Sequence, residues 1–378
     1  MDHLNLFIVI VQIPHLVVIP VVAKIHKICS LFSVVFISVI ILSCVGETRN
    51  TNEKVIDVSE CQEKSFDWIS LLDKNIQYVK LNTDSEKYSF SNISKLICWN
   101  NRFYVNDWRI RRLITFDDKG NPLFVLNRRG RGPEEYLQVT DFDVDDNGGL
   151  WILDGQKDVV NHYAEDGKFI SSRSTAGRQY SFISYRQNGL LLGLANWDEE
   201  NDAKVVQADT NLNILASYSH RPKLSDPNFI FGSVGFTSIR DTIFYNMPID
   251  DDVIMLGSGG YYGMYHFDFG GRRVPDEVRK SIEPHFSKIH DYSFLMNVVG
   301  VFDGIAIGTM CEKTDIDFII DIESKIMYKQ SRKNGELALK GISDGKVLFA
   351  HTSSESDNDI IAYISLDEVK KSLKRNKF

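Results

Sequence analysis

The sequence predicts an all-β fold, a six-bladed β-propeller of four-stranded antiparallel blades, with a signal peptide ahead of it. Three observations carry this. Two consecutive stretches superimpose at a shift of 47 residues without a gap, weaker copies continue toward the C-terminal end, and an apolar leader differs in composition from everything after it. A chain of 378 residues suits one large repeat-built domain or two or three ordinary ones. Hydrophobic residues at 43% and charged residues at 25% belong to a folded chain rather than a disordered one. The formal charge of -8 argues against a nucleic-acid partner, because such binders carry a basic excess. Five scattered cysteines provide neither a disulfide framework nor a zinc site.

Residues 1–43 read as the leader. Leu4 to Ala23 is mostly Val, Ile, Leu and Phe, a short basic patch follows at Lys24-Ile25-His26-Lys27, and a second apolar run extends from Ile28 to Leu42. A basic region, an apolar stretch and a small residue before the cut site describe a secretory signal. Ile41-Leu42-Ser43-Cys44 resembles a bacterial lipobox, which implies that the Cys44 thiol is lipidated and that Cys44 begins the mature chain. The simplest account of the 23 residues before Lys24 is a start upstream of the true one. A transmembrane hairpin is the alternative, although the second run is shorter than the usual span. Residues 44–54 form a polar tether, 55–366 the propeller and 367–378 a basic tail.

The repeat sets the strands. Ile97 falls on Val144, Asn100 on Asn147, Val105 on Ile152, Asp107 on Asp154, Leu113 on Val160, Phe116 on Tyr163 and Gly120 on Gly167. Asp117 to Gly120 and Glu165 to Lys168 are hairpin turns in which Gly supplies the positive φ of a tight reversal. Periods near 40–50 residues with four strands mark propeller blades. Further copies run over 184–218, 237–269, 294–328 and 338–364; five blades are countable between 90 and 366, and the sixth is split between the ends. Val55 to Val58 and Ile76 to Leu81 are expected to pair with the C-terminal strands and close the ring. Short helices are expected at Phe66 to Lys74, capped by Ser65, at Pro275 to Ile282 and at Leu366 to Leu373.

The stretch Gly130-Arg131-Gly132-Pro133-Glu134-Glu135-Tyr136, the Val144…Trp151-Ile152-Leu153-Asp154 strand pair and Phe267-Asp268-Phe269-Gly270 resemble the six-bladed β-propeller lipoproteins of Bacteroidetes. So does the Ile76 to Thr83 opening strand. The resemblance covers nearly all of 55–366 and implies an envelope-attached propeller of the NHL/TolB-like type. It brings no catalytic residues.

Several groups of residues are candidates for chemistry. Asp141, Asp143, Asp145, Asn147 and Gly148 partly match a calcium loop, but Asp146 occupies the sixth place where Gly is required, and the alternation with Phe142 and Val144 reads as a strand. Arg109, Arg111, Arg112, Arg128, Arg129 and Arg131 are the densest positive run, suited either to an anionic ligand or to pairing with Glu134 and Glu135. Gly257 to Tyr265 reads as a flexible aromatic loop able to stack on a sugar or peptide, with Trp108 and Trp197 to Glu200 as possible additions. The Asp250-Asp251-Asp252 run is expected to shield or steer a cation. His266, His285 and His290 lack metal-ligand spacing. No nucleophile elbow, phosphate loop or dinucleotide fingerprint occurs, so no catalytic residue, metal or cofactor is expected.

The expectation is therefore a lipid-anchored, non-catalytic binding or scaffolding module of the cell envelope, held to the membrane through Cys44. Arg129, Arg131, Tyr261 and Tyr262 would line one rim and contact a glycan or an envelope protein. The alternative is a propeller hydrolase or lyase with its site at the central channel.

Overall fold

The computed structural model describes residues 52–72, 75–187, 189–195, 203–220, 226, 235–257, 260–332, 336–351 and 359–375. The leader, Cys44 and the Trp197 to Glu200 segment lie outside the described residues. Three short strands come first: β1 (Glu53–Asp57), β2 (Gln62–Ser65) and, after helix α1 (Trp68–Leu72), β3 (Gln77–Lys80). Blade one is β4 (Lys95–Trp99), β5 (Arg102–Asp107), β6 (Arg112–Phe116) and β7 (Pro122–Leu126). Blade two is β8 (Asp141–Val144), β9 (Leu150–Asp154), β10 (Val159–Tyr163) and β11 (Phe169–Ser174). Blade three is β12 (Tyr180–Arg186), β13 (Gly189–Leu194), β14 (Ala203–Asp209) and β15 (Ile214–His220).

Blade four is β16 (Phe236–Ile239), β17 (Thr242–Asn246), β18 (Asp252–Gly257) and β19 (Gly260–Asp268). Helix α2 (Asp276–Lys280) lies in the connection to blade five, which is β20 (Ser293–Phe302), β21 (Ile305–Glu312), β22 (Thr314–Asp321) and β23 (Ile326–Ser331). Blade six has only β24 (Leu337–Ser343), β25 (Lys346–His351) and β26 (Ile360–Ser365) from its own stretch of chain, and helix α3 (Leu366–Arg375) follows. The six-bladed antiparallel fold expected from the 47-residue period is the one observed. Gly120 and Gly167 sit at φ +84 and +78 in equivalent hairpins, as the repeat requires.

In each blade the first strand is innermost, and first strands of neighbouring blades meet around the axis. Strands alternate in direction, which gives the ring two distinct ends. At the linker end lie the blade-to-blade connections and the turns between second and third strands. At the hairpin end lie the turns between first and second and between third and fourth strands.

The N-terminal segment closes the ring. β3 pairs antiparallel with β26, with Lys80 opposite Ile360 and Gln77 opposite Tyr363, so the expected split blade is real. The other half of that expectation is corrected: Val55 and its neighbours do not reach the C-terminal blade. β1 instead lies parallel to β19 of blade four, from Glu53 opposite Met264 to Asp57 opposite Asp268, and β2 lies parallel to β23 of blade five. The physical reason is occupancy, since β3 takes the outer edge of blade six while the edges of blades four and five remain open to cover. The chain thus wraps three blades as a belt before it enters the first.

Between β2 and β3, Trp68 pins the belt to the ring. It is fully buried, and its Nε1–H donates to Asp317 Oδ2 at 2.9 Å while its backbone N–H donates to Gln330 at 2.7 Å. Asp317 also accepts from Arg332 and from the Leu339 backbone, which ties blade five to blade six. The cap of α1 is Asp67, which accepts from the Ser70 backbone and hydroxyl at 2.8 Å, rather than Ser65. The basic tail is a docked helix: Leu366, Val369 and Leu373 of α3 are buried in the same core cluster as Trp68.

Trp68→Ala removes a buried indole and leaves Asp317 one donor short. It should cost about 3–5 kcal/mol of stability, as large aromatic truncations do. Chemical denaturation of the two proteins measures this, and a loss under about 1 kcal/mol would show that the belt does not depend on this residue.

Candidate binding face

The linker end of blades one and two is organised by a repeated aspartate. Asp107, at the end of β5, is buried; one oxygen accepts from Ser91 and Asn92 in the incoming connection, and the other accepts from the backbone N–H groups of Arg109 and Ile110 in the next turn. Asp154, one period later at the end of β9, does the same with Leu137 on one side and Gln156 and Lys157 on the other. Each carboxylate fixes a linker against a turn.

The turn after Asp107 presents Trp108, Arg109 and Ile110 to solvent. Trp108 is 52% exposed, and the Arg109 guanidinium lies 5.9 Å from its ring centroid. Beside this turn runs the Arg128 to Tyr136 linker. Arg111 donates to the Leu137 carbonyl, and the buried Tyr136 hydroxyl donates to the Arg111 and Leu126 carbonyls. Burial raises the Tyr136 phenol above its ordinary pKa, so it stays a donor.

The linker itself is rigid. Glu135 folds back to accept from the Gly132 N–H at 2.7 Å, and a Cβ on Gly130 would stand 2.0 Å from the same carboxylate, which explains the Gly-Arg-Gly sequence there. Lys157 donates to the Gly132 and Glu135 carbonyls, and Arg128 pairs with Glu134. The Arg run therefore divides. Arg111, Arg112 and Arg128 are spent on the scaffold, whereas the guanidinium groups of Arg109, Arg129 and Arg131 have no polar partner among the described residues.

Tyr261 and Tyr262 lie elsewhere. They follow the third-to-fourth turn of blade four at the hairpin end, so the structure does not bring them to the rim that carries Arg129 and Arg131. Nor are they in a loop: residues 260–268 form β19, paired with β18, and Tyr261 packs half-buried against the core of blades three and four. A Gly/Tyr alternation reads as a flexible segment in composition but fits a pleated strand. Tyr262 bonds the Thr242 hydroxyl at 2.6 Å.

The aspartate run is also consumed. Asp250 pairs with Lys204 at 2.5 Å, Asp251 with Arg273 and Arg279, and Asp252 with His266 at 2.8 Å, so no free acidic patch remains to steer a cation. Asp141 and Asp143 stand on β8 as strand residues. Asp141 accepts from Lys95 of blade one and the Ile183 backbone of blade three, and Asp143 from Ser184 and Tyr185. Burial pushes both carboxyls above their usual range, partly offset by the Lys95 ammonium. They link blades rather than ligate a metal, and no group of three metal-ligating side chains occurs among the described residues.

The axial channel is narrow. Lys95, Asp143, Ser184, Ser238, Lys340 and Ser343 line a cavity of about 50 Å³ there, far below the roughly 300–1,000 Å³ of ordinary ligand pockets. Burial, then Arg332, lowers the Lys340 amine to about 8. The His290–Cys311 contact of 3.1 Å has the form of a nucleophile pair, but burial and then Asp315 push that thiol up to about 12, away from the thiolate form a nucleophile needs.

The model of the DUF5128 family, 6-bladed beta-propeller, matches residues 46–328, well over half of the chain. The chain belongs to that family. The match ends within β23, so of the sixth sheet of this DUF5128 propeller it includes β3 but not β24, β25 or β26. A protein of Bacteroides fragilis described as exported shares 16% identity at a TM-score of 0.65, over 82% of this chain and 99% of its own. A Bacteroides vulgatus member of the DUF4221 family shares 9% identity at a TM-score of 0.52, over 77% of this chain and 96% of its own. Both likenesses are of fold. No curated protein matches the sequence.

His266 and Asp252 give the linker end a pH dependence. The hydrogen bond that His266 donates to Asp252 raises the imidazole pKa; burial disfavours the Asp252 carboxylate, but His266 and Lys204 more than offset this and lower it. The histidine part of the stabilisation is complete below about 6.5 and is lost as pH rises through the folded value, whereas the aspartate part is lost as pH falls below about 4. The melting-temperature gap between wild type and His266→Ala should therefore be widest near pH 5–6 and shrink by about pH 8–9. A gap that is flat or grows toward alkaline pH would contradict the pairing.

Proposed function

We propose that this propeller is an extracytoplasmic, lipid-anchored binding module. Its linker end engages an anionic partner, a charged glycan or an acidic protein surface. The observation that carries the reading is a set of three guanidiniums, Arg109, Arg129 and Arg131, without a polar partner among the described residues and held by rigid connections beside an exposed Trp108. Arg offers forked donors that fit carboxylate, sulfate or phosphate, and an exposed indole offers a face for stacking. Binding at a surface, rather than catalysis at the axis, agrees with the small size of the axial cavity. Envelope location is supported by the leader and the Ser43-Cys44 pair, and the exported designation of the Bacteroides fragilis neighbour agrees with it.

Two measurements test this reading. Cys44→Ser should block lipidation and move the protein from the detergent to the aqueous phase on phase partitioning; unchanged partitioning of a cleaved chain would remove the anchor. Arg109→Ala/Arg129→Ala/Arg131→Ala should weaken capture on an array of sulfated and carboxylated glycans, or of acidic envelope proteins, by about tenfold or more at low salt. The wild-type signal should fall as ionic strength rises, because exposed charges are screened beyond a Debye length of about 8 Å at physiological salt. A triple variant that captures the same ligands as wild type would place the binding face elsewhere.

A further inference from the structure

At the hairpin end, the outer strands of the first four blades share a defect. Each has a β-bulge just after its turn, and the extra residue is large, apolar and exposed. In β7 the register steps from Phe116–Pro122 to Thr115–Phe124, which leaves Leu123 bulged; in β11 it steps from Tyr163–Phe169 to His162–Ser171, which leaves Ile170. In β15 the pairs Ala208–Ile214 and Gln207–Ala216 leave Leu215, and in β19 Leu256–Tyr261 and Met255–Gly263 leave Tyr262. These four residues are 44%, 54%, 64% and 41% exposed. They are spaced 47, 45 and 47 residues apart, the period of the blades. In blade six Tyr78, the second residue of the outer strand β3, is exposed as well.

A bulge protects a free sheet edge by twisting it away, and that job needs no particular side chain. Single exposed apolar residues are ordinary on a protein surface. Neither accounts for Leu, Ile, Leu and Tyr at one structural position of four successive blades.

Two further features share this end. The described chain begins there: Asn52 accepts from the Met264 N–H, and a Cβ on Gly263 would meet Asn52 at 2.7 Å, so the tether joins the ring next to Tyr262. Eight residue steps separate Asn52 from Cys44, a reach of at most about 28 Å. Helix α3 also lies there, with its first N–H bonded to Gly345 in a hairpin turn, and its last turn presents Lys374 and Arg375 to solvent without ion-pair partners among the described residues. The intervening turns carry both signs, as in Asp118 with Lys119 and Asp166 with Lys168.

We propose that the hairpin end is a lipid-docking face, with Leu123, Ile170, Leu215 and Tyr262 entering the headgroup region of the membrane to which Cys44 is tethered. The occupant rests on the lipid-anchor reading above. Isolated apolar side chains spread around a rim suit shallow contact with a bilayer, where each buries its own area, and Tyr favours that interface. The exposed cations of α3 favour an anionic headgroup. The arginine face at the opposite end then points away from the membrane.

The test uses residues 45–378 without lipid, which include every strand of the closed ring, in flotation with vesicles of phosphatidylcholine alone or mixed with phosphatidylglycerol. Wild type should float with both, more with the anionic mixture. Leu123→Ser/Ile170→Ser/Leu215→Ser/Tyr262→Ser should reduce partitioning at least tenfold, whereas Trp108→Ala at the other end should leave it unchanged. Should the fourfold variant lose its melting transition, Leu215→Ser alone should still lower partitioning at least twofold. Absence of wild-type flotation, or equal flotation of the folded variants, overturns the proposal. So does a wild-type dimer in sedimentation that the fourfold variant abolishes, since that would give the rim to a second copy. Because this form carries no lipid, failure here is separate from failure of Cys44 to anchor the chain in cells.

Discussion

The rest of the molecule depends on one strand pairing, β3 against β26. Each blade touches mainly its neighbours, so an open row of six would leave exposed apolar faces and sheet edges at both ends. Pairing the first part of the chain with the last converts that row into a ring. The pairing is four residues long, and it is held by what lies beside it. Trp68 sits between blades five and six, and its indole shares Asp317 with Arg332 and the Leu339 backbone. A buried carboxylate with one donor missing would be costly; with all its donors present it locks belt, fifth blade and sixth blade together.

The same device recurs around the ring with different residues. Asp141 joins Lys95 of blade one to the Ile183 backbone of blade three, and Asp107 and Asp154 join linkers to turns. In each case backbone or side-chain donors occupy the buried carboxylate oxygens. The result is a face whose connections are fixed before any ligand arrives. Only the backbone of these connections is fixed in this way; the exposed Arg109, Arg129 and Arg131 side chains keep their rotamer freedom.

Much of this was legible in the sequence, for identifiable reasons. The 47-residue period, the Asp107–Asp154 equivalence and the Gly120 and Gly167 hairpins are local or repeated, and they fixed the fold class. The closing role of Ile76 to Leu81 followed from the need to finish a split blade. The pairing of Val55 with blade four did not follow, because a parallel edge strand has no turn and no partner nearby in sequence. Asp250 to Asp252 read as a free acidic run because Lys204, Arg273 and Arg279 come from other elements. Leu123 and Ile170 were visible at the repeat spacing all along, yet only the register shift shows that they are squeezed out of the ladder rather than alternating with it.

The belt also decides how the protein responds to pulling. A load applied at the N-terminal end of the ring enters through β1, which runs alongside β19 in the same direction over five residue pairs. Force along that axis drives the two strands past each other, so the interstrand hydrogen bonds share the strain at once instead of parting one after another. β2 repeats this geometry on blade five, and Trp68 follows as a peg. A tug on the leading end is therefore spread over two sheets in shear before it reaches the four-residue seam that closes the ring.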